Sequence, residues 1–131
     1  MPVIWLGYMA AGPETKMYFH EAAAYVLCAT TSGAPSVQTP HPAKAVKIDG
    51  ITPVEAKFGV EMVKAAVNLS RKEANEIVLK LLDKYEAKLD NPPTGSIYQD
   101  CCDVTTGRPG GKYMRLYNEI KDELDGIGIS F

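Results

Sequence analysis

The sequence predicts a helix-rich α/β chain with about four helices and one or two strands. Three observations carry this: an apolar run VIWLGYMA at residues 3–10, two helix-start signatures at Thr52 and Ser70, and a periodic apolar stripe from Ala74 to Leu89. The first run is rich in β-branched and aromatic side chains but lacks the alternation of a strand with one wet face. It predicts a strand over Val3–Ala10 that is covered on both faces.

The remaining elements follow in order. Gly12-Pro13-Glu14 reads as a helix start, because proline at the first helical position gives up no needed donor and an early glutamate complements the positive helix end. That helix is predicted to run to Ser32, with Gly33 as its left-handed stop. Pro35, Pro40 and Pro42 then interrupt regular structure. A long loop from Ala34 to Gly50 results, carrying His41 and a short extended piece around Ala45 to Ile48; loops of this length are often functional. Thr52-Pro53-Val54-Glu55 is a capping box with proline inside it, followed by Val54, Phe58 and Met62 on one face. Ser70-Arg71-Lys72-Glu73 is a second capping box. It opens the clearest periodicity in the chain, Ala74, Ile77, Val78, Leu81, Leu82, Tyr85 and Leu89, which must stop before Pro92-Pro93. A connector, the segment Ile97–Val104 and a turn-rich stretch Thr105–Gly111 lead to a last helix from about Lys112 to Asp125. That helix is expected to bury Met114, Leu116 or Tyr117, Ile120 and Leu124. Gly126 closes it, and the apolar tail Ile127–Phe131 is expected to dock.

Composition bounds the function. The chain has 131 residues, 46% hydrophobic and 23% charged, which suits one ordinary domain. With 14 Lys+Arg against 16 Asp+Glu the net charge is -2, so no general basic field is present to hold a nucleic-acid backbone. No apolar stretch approaches the ~20 residues of a membrane helix, and the N-terminus lacks the features of a signal peptide. A cytoplasmic chain without membrane or nucleic-acid partners is expected.

Cys28, Cys101 and Cys102 form neither a disulfide framework nor a zinc pattern with His20 and His41, so no metal site is assigned and the thiols are read as buried or inert. His20 has no partner identifiable from spacing, although histidine is the side chain suited to proton transfer near neutral pH. His41, between two prolines, is a candidate for partner contact. Gly107–Gly111 lacks the Lys-Ser/Thr of a phosphate loop and reads as a plain turn.

One strand among about four helices poses a physical problem. Buried peptide groups left unpaired cost about 1–3 kcal/mol each, so Val3–Ala10 needs flanking strands that this chain does not visibly supply.

At this point the residues carry a resemblance. KYEAKLDNPPTGSIYQDCCDV and YMRLYNEIKDELDGIGISF, together with Ala11-Gly12-Pro13, Met17, Glu21-Ala22 and Ser32-Gly33, are similar in pattern and spacing to the C-terminal segment of the monomethylamine methyltransferases. Those enzymes pass a methyl group from methylamine to a corrinoid protein. The resemblance implies that residues 1–131 are a single segment, the C-terminal portion of a (β/α)8 TIM-type barrel. Residues 1–50 would form a late barrel strand, helix and loop, and residues 51–131 the C-terminal helices. The turn after the strand would then lie at the rim where barrel enzymes place their chemistry.

The resemblance also implies a division of labour. The reactive group of the family is pyrrolysine, expected upstream and absent here, and the corrinoid (cobalamin) sits on a partner protein; this segment would bind no cofactor and carry no catalytic residue of its own. At the strand end the family pattern has a glutamine and, two residues later, a tyrosine facing the reactive group. This sequence keeps the tyrosine as Tyr8 and has Leu6 in the glutamine's place, so the substrate-binding positions are Tyr8 and Leu6 and one polar contact is lost. The partners implied are a corrinoid protein and either the missing N-terminal barrel portion or a second copy in a homo-oligomer. Glu21 falls in step with a family glutamate, and from its residue type reads as a solvated helix-face carboxylate or a structural salt bridge. A reading of a different class stands beside this one: a self-contained helical protein-interaction module without catalysis, docking through Val3–Ala10.

Overall fold

The computed structural model describes residues 3–131, and its first finding concerns the strand. Only Ile4–Trp5 (β1) forms a ladder, and its partner comes from within the chain: Ser36–Val37 (β2) lies parallel to it, pairing Ile4 with Ser36 and Trp5 with Val37. Further along, Tyr8 and His41 form a parallel bridge. The extended piece of the long loop is therefore at residues 36–41, not at Ala45–Ile48. There the chain instead makes a tight turn in which Ala43, Lys44 and Ala45 all take left-handed backbone angles (φ 50, 56 and 59°).

The expectation of a strand covered on both faces is corrected. Helix α1 (Lys16–Thr31) covers one face, where a Cβ at Gly7 would meet the Tyr25 ring at 2.6 Å and Met9 is buried. Ile4, Leu6 and Tyr8 alternate onto the opposite face and are 59%, 54% and 55% exposed. Among the described residues the sheet has two strands only.

Helix α1 starts later than Gly12-Pro13-Glu14 suggested. Thr15 is its N-cap, accepting from the Tyr18 N–H at 3.3 Å, while Glu14 sits at φ 59° outside the helix. Gly12 and Pro13 are committed elsewhere: Gly12 N–H donates to the Pro93 carbonyl (2.9 Å) and Ser96 N–H to the Pro13 carbonyl (3.0 Å). The C-terminus is as read, with Gly33 at φ 81°, its N–H on the Thr30 carbonyl and that of Ala34 on the Ala29 carbonyl, a Schellman stop.

Both capping boxes form, opening α2 (Pro53–Ala66) at Thr52 and α3 (Arg71–Tyr85) at Ser70. A short helix α4 (Tyr98–Cys101) follows the connector, and α5 (Gly111–Gly126) closes the chain. In α5 the core face is Tyr113, Tyr117, Ile120 and Leu124; Met114 and Leu116 are half-buried at its edges. Gly126 is the last helical residue, and the left-handed turn comes at Gly128 (φ 115°), after which Ile129 is fully buried.

The core is an aromatic cluster joining α1, α2 and α5. Phe19 meets Phe58 edge-on at 4.9 Å between centroids, and Tyr117 packs edge-on to both. The alanines Ala22, Ala23 and Ala24 make α1 small-sided and nearly fully buried, which lets α3 lie close against it through Ile77, Leu81 and Tyr85.

Candidate functional site

The end of β1 is where this fold brings polar groups from distant segments together. Backbone pairing sets it up: His41 N–H donates to the Gly7 carbonyl (2.9 Å), Met9 N–H to the His41 carbonyl (2.7 Å), Lys44 N–H to the Met9 carbonyl (2.7 Å) and Ala43 N–H to the Ala11 carbonyl (2.8 Å). As bridge partners, Tyr8 and His41 project to the same face, and their rings stack with centroids 6.0 Å apart at 29°. The Tyr18 hydroxyl fastens the approach to this segment by donating to the Pro40 carbonyl at 2.9 Å.

Tyr8 and Leu6 thus share the open face of β1, two residues apart, with Ile4 continuing the row. The phenol is the polar group of that row. Beyond His41 lies a cleft of about 390 Å³ lined by His41, Pro42, Lys47, Asp49 and Tyr98. Its wall is stiffened by the Lys47 ammonium, which donates to the Thr94 and Gly95 carbonyls at 2.7 Å each.

Among the described residues Glu21 has no ion-pair partner, and it is not solvated, correcting both readings made from its residue type. It is 8% exposed, and its two carboxylate oxygens accept the N–H groups of Ala10 (2.6 Å) and Ala11 (2.9 Å). Burial raises its carboxyl above the usual range, against the downward pull of those two amides and of Lys44.

His20 faces Glu123 of α5 instead. It is buried and hydrogen-bonded through Nε2 to Glu123 at 3.1 Å, with Lys84 on the same carboxylate at 2.7 Å; burial holds its pKa below the ordinary histidine value, opposed by Glu123. It is a packed structural histidine. A second buried polar cluster was not legible as such: Glu55, the capping-box carboxylate of α2, is fully buried and holds both the Thr52 N–H (2.5 Å) and the Tyr113 hydroxyl. The signal lay in Glu55 facing a tyrosine on another helix, which spacing alone does not reveal.

All three cysteines are free. Cys101 and Cys102 are buried, and burial, reinforced by the neighbouring thiol, pushes Cys101 up to about 12. Cys28 is exposed rather than buried, because it falls on the outer edge of α1, yet partial burial still raises its thiol. Gly107 does take a left-handed turn, as a plain turn requires. Among the described residues no three His, Cys, Asp or Glu side chains group as metal ligands, and no helix is long and apolar enough to cross a membrane.

Comparison with known proteins adds to this geometry. A family model described as Monomethylamine methyltransferase MtmB matches residues 6–129. Monomethylamine methyltransferase MtmB1 of Methanosarcina acetivorans is 35% identical over 124 residues, which is 95% of this chain and 27% of that protein; MtmB1 of Methanosarcina barkeri is 34% identical over the same shares. The crystal structure of the Methanosarcina barkeri monomethylamine methyltransferase superimposes with a TM-score of 0.93 at 33% identity, covering 98% of this chain and 28% of that one. The crystal structure of the hydroxylamine MtmB complex gives 0.94. The chain spans 27% of the length of the curated relatives it matches.

Proposed function

Because the chain belongs to the monomethylamine methyltransferase MtmB family, we propose that it is the C-terminal part of a TIM-type methyltransferase barrel that transfers a methyl group from monomethylamine, or a related methyl donor, to a corrinoid protein. In this reading residues 1–50 supply a late barrel strand, its helix and the following loop, and residues 51–131 the C-terminal helices. The chain does not carry out the transfer alone.

The observation that supports this best is the open face of β1. A two-stranded parallel sheet joined through one helix is the repeating unit of a (β/α)8 barrel, and parallel sheets normally have both faces covered. Here the face away from α1 exposes Ile4, Leu6 and Tyr8, the side that would line a barrel interior. A self-contained helical module would need a docked partner to cover that apolar row, whereas in a barrel the remaining strands cover it. The rim residues Tyr8 and His41 lie where the strands end, which is where such barrels do their chemistry.

The fit to the implied groups is partial and specific. A corrinoid supplies a nucleophilic cobalt that accepts the methyl group. The described residues offer no ligand cluster to hold that metal, but they do offer a phenol and an imidazole side by side on an open face. Tyr8 would orient the amine through its hydroxyl, with the methyl-trapping residue contributed by the rest of the barrel. Leu6 has neither donor nor acceptor, so the donor it borders loses one polar contact relative to the family pattern.

The test is methyl transfer to a corrinoid protein, measured for the chain alone and after mixing with a polypeptide carrying the remaining length of an MtmB relative. Transfer only on mixing is the expected result, and transfer by the lone chain would overturn the proposal. Running monomethylamine, dimethylamine and trimethylamine in competition identifies the donor that Leu6 favours.

A further inference from the structure

The amides of Ala10 and Ala11 leave the end of β1 with no strand to receive them, and a buried side chain takes both. Glu21 stands in the second turn of α1, with Oε2 on the Ala10 N–H at 2.6 Å and Oε1 on the Ala11 N–H at 2.9 Å. A carboxylate that is 8% exposed is an expensive way to cap a strand end, which water or a serine could cap instead. Its two oxygens do something those cannot. They hold two successive peptide units at once, with charge-assisted bonds that fix direction as well as distance.

The same short stretch is gripped from its other side. Residues Gly7, Met9 and Ala11 are bonded to His41, Lys44 and Ala43, and two of these partners, Ala43 and Lys44, sit in a left-handed turn held in a costly conformation. Within the gripped stretch, residues 7–11, Tyr8 is the one exposed residue, its ring stacked on that of His41. The groups around the Glu21 carboxylate are Lys44 from the turn, Tyr85 from α3 and Tyr18 from α1 itself, so one cation and two hydroxyl-bearing rings surround it.

We propose that Glu21 is a positioning residue for Tyr8: its two-oxygen grip on the Ala10 and Ala11 amides fixes the direction in which the phenol leaves the end of β1, and so where its hydroxyl meets the substrate. The second half of this statement rests on the methyltransferase reading, and the first half does not.

The experiment has two arms. In the first, the chain, Glu21→Gln and Glu21→Ala are compared by amide exchange at Ala10 and Ala11 and by ring-to-ring NOEs between Tyr8 and His41, with Phe19–Phe58 NOEs as the control for the core. Exchange at the two amides is expected to rise roughly ten- to hundredfold on loss of the charged acceptor, and the Tyr8–His41 NOEs to weaken while those of the core stay. Should Glu21→Ala fail to fold, Glu21→Gln keeps the shape and one acceptor and gives the same readout. Unchanged Tyr8–His41 NOEs in a folded variant overturn the inference.

In the second arm, the mixed enzyme is assayed for methyl transfer with Glu21→Gln, Tyr8→Phe and both together. Glu21→Gln is expected to lower kcat roughly tenfold or more with KM moved less, and the double variant to fall no further than Tyr8→Phe alone. Independent, multiplying losses mean that Glu21 acts other than through Tyr8 and overturn the inference. A first arm that succeeds beside a Tyr8→Phe enzyme of full activity leaves the clamp standing and removes the methyltransferase role of Tyr8 instead.

Discussion

Gly12→Ala should be among the most damaging single-methyl additions in this chain. The turn after β1 crosses the segment Pro93–Ser96 so closely that a Cβ at Gly12 would lie 1.8 Å from the Thr94 carbonyl oxygen and 2.4 Å from its carbon, and one at Gly95 would lie 2.1 Å from the Pro13 oxygen. Both obstacles are backbone, so no side chain can swing away. The crossing must open, breaking Gly12 N–H to Pro93 and Ser96 N–H to Pro13 and loosening the Lys47 bridge to Thr94 and Gly95. Two backbone hydrogen bonds at about 1 kcal/mol each and an overpacking cost of about 1–3 kcal/mol give about 3–5 kcal/mol. That is a large share of the 5–15 kcal/mol typical of a domain and corresponds to a fall of roughly 10–20 °C in Tm. Urea unfolding followed by circular dichroism measures it. Two controls separate the causes. Gly33→Ala meets no atom within 4 Å but sits at φ 81°, so it should cost about 1 kcal/mol of backbone strain alone. Gly126→Ala meets nothing and is helical, so it should be neutral or stabilise by up to about 1 kcal/mol. A Gly12→Ala loss no larger than that of Gly33→Ala would refute the crossing argument.

Tyr113→Phe leaves one oxygen of the fully buried Glu55 without its donor and should cost about 1–3 kcal/mol in the same unfolding assay. His20 carries a pH signature: burial holds its folded pKa below the ordinary 6.5, so the unfolded chain binds the proton more readily. Its contribution is present above pH 6.5 and lost as pH falls toward the lowered value, and urea midpoints from pH 7.5 down to 5 should decline less in His20→Gln than in the parent. The chain's single tryptophan reports on the sheet. Trp5 is 40% exposed in β1, and its emission should shift to the blue when the polypeptide carrying the rest of an MtmB relative is added, whereas an unchanged spectrum on mixing argues against pairing at β1.

Helices were legible in this sequence to the extent that their determinants are local. Thr52 and Ser70 announce α2 and α3 because each cap needs only the residue three positions on, and both boxes form as read. The stripe Ala74, Ile77, Leu81 and Tyr85 is buried because α3 has one face against α1, though Leu89 falls beyond the helix and is 40% exposed. The start of α1 was misplaced for a nonlocal reason. Gly12-Pro13 has the composition of a helix start, yet its backbone is engaged by Pro93 and Ser96, and the local cap that wins is Thr15. Tyr113 was passed over in α5 because a tyrosine is ambiguous from sequence, and its hydroxyl is accepted in the core only because Glu55 meets it there.

The strand shows the limit of such reading from the other direction. Hydrogen-bond accounting argued that Val3–Ala10 has no neighbour within the chain; the structure corrects this, because β2 pairs with β1, and among the described residues it leaves one face and the outer edge of that pair open. What accounting could not supply was that partner strand, since β2 is two residues of a proline-broken loop with no alternating pattern of its own. Its register comes instead from α1, which sets the distance between the strands, and from the bonds at Gly7, Met9 and Ala11 that draw in residues 41–44. The same dependence explains the site. Tyr8 was singled out by resemblance, but its neighbour His41, and Glu21 on the amides of Ala10 and Ala11, are brought to this stretch by parallel pairing and by a helix turn, neither of which is written in residues near Tyr8. A rim built in this way is only as exact as the two grips on residues 7–11. A phenol on an unclamped strand end would sweep several directions, and a misplacement of about 1 Å is enough to cost a hundredfold in a positioned reaction. Under the proposed role of Glu21, the buried carboxylate and the left-handed turn, each unfavourable taken alone, are understandable together as what holds one side chain still on an open edge.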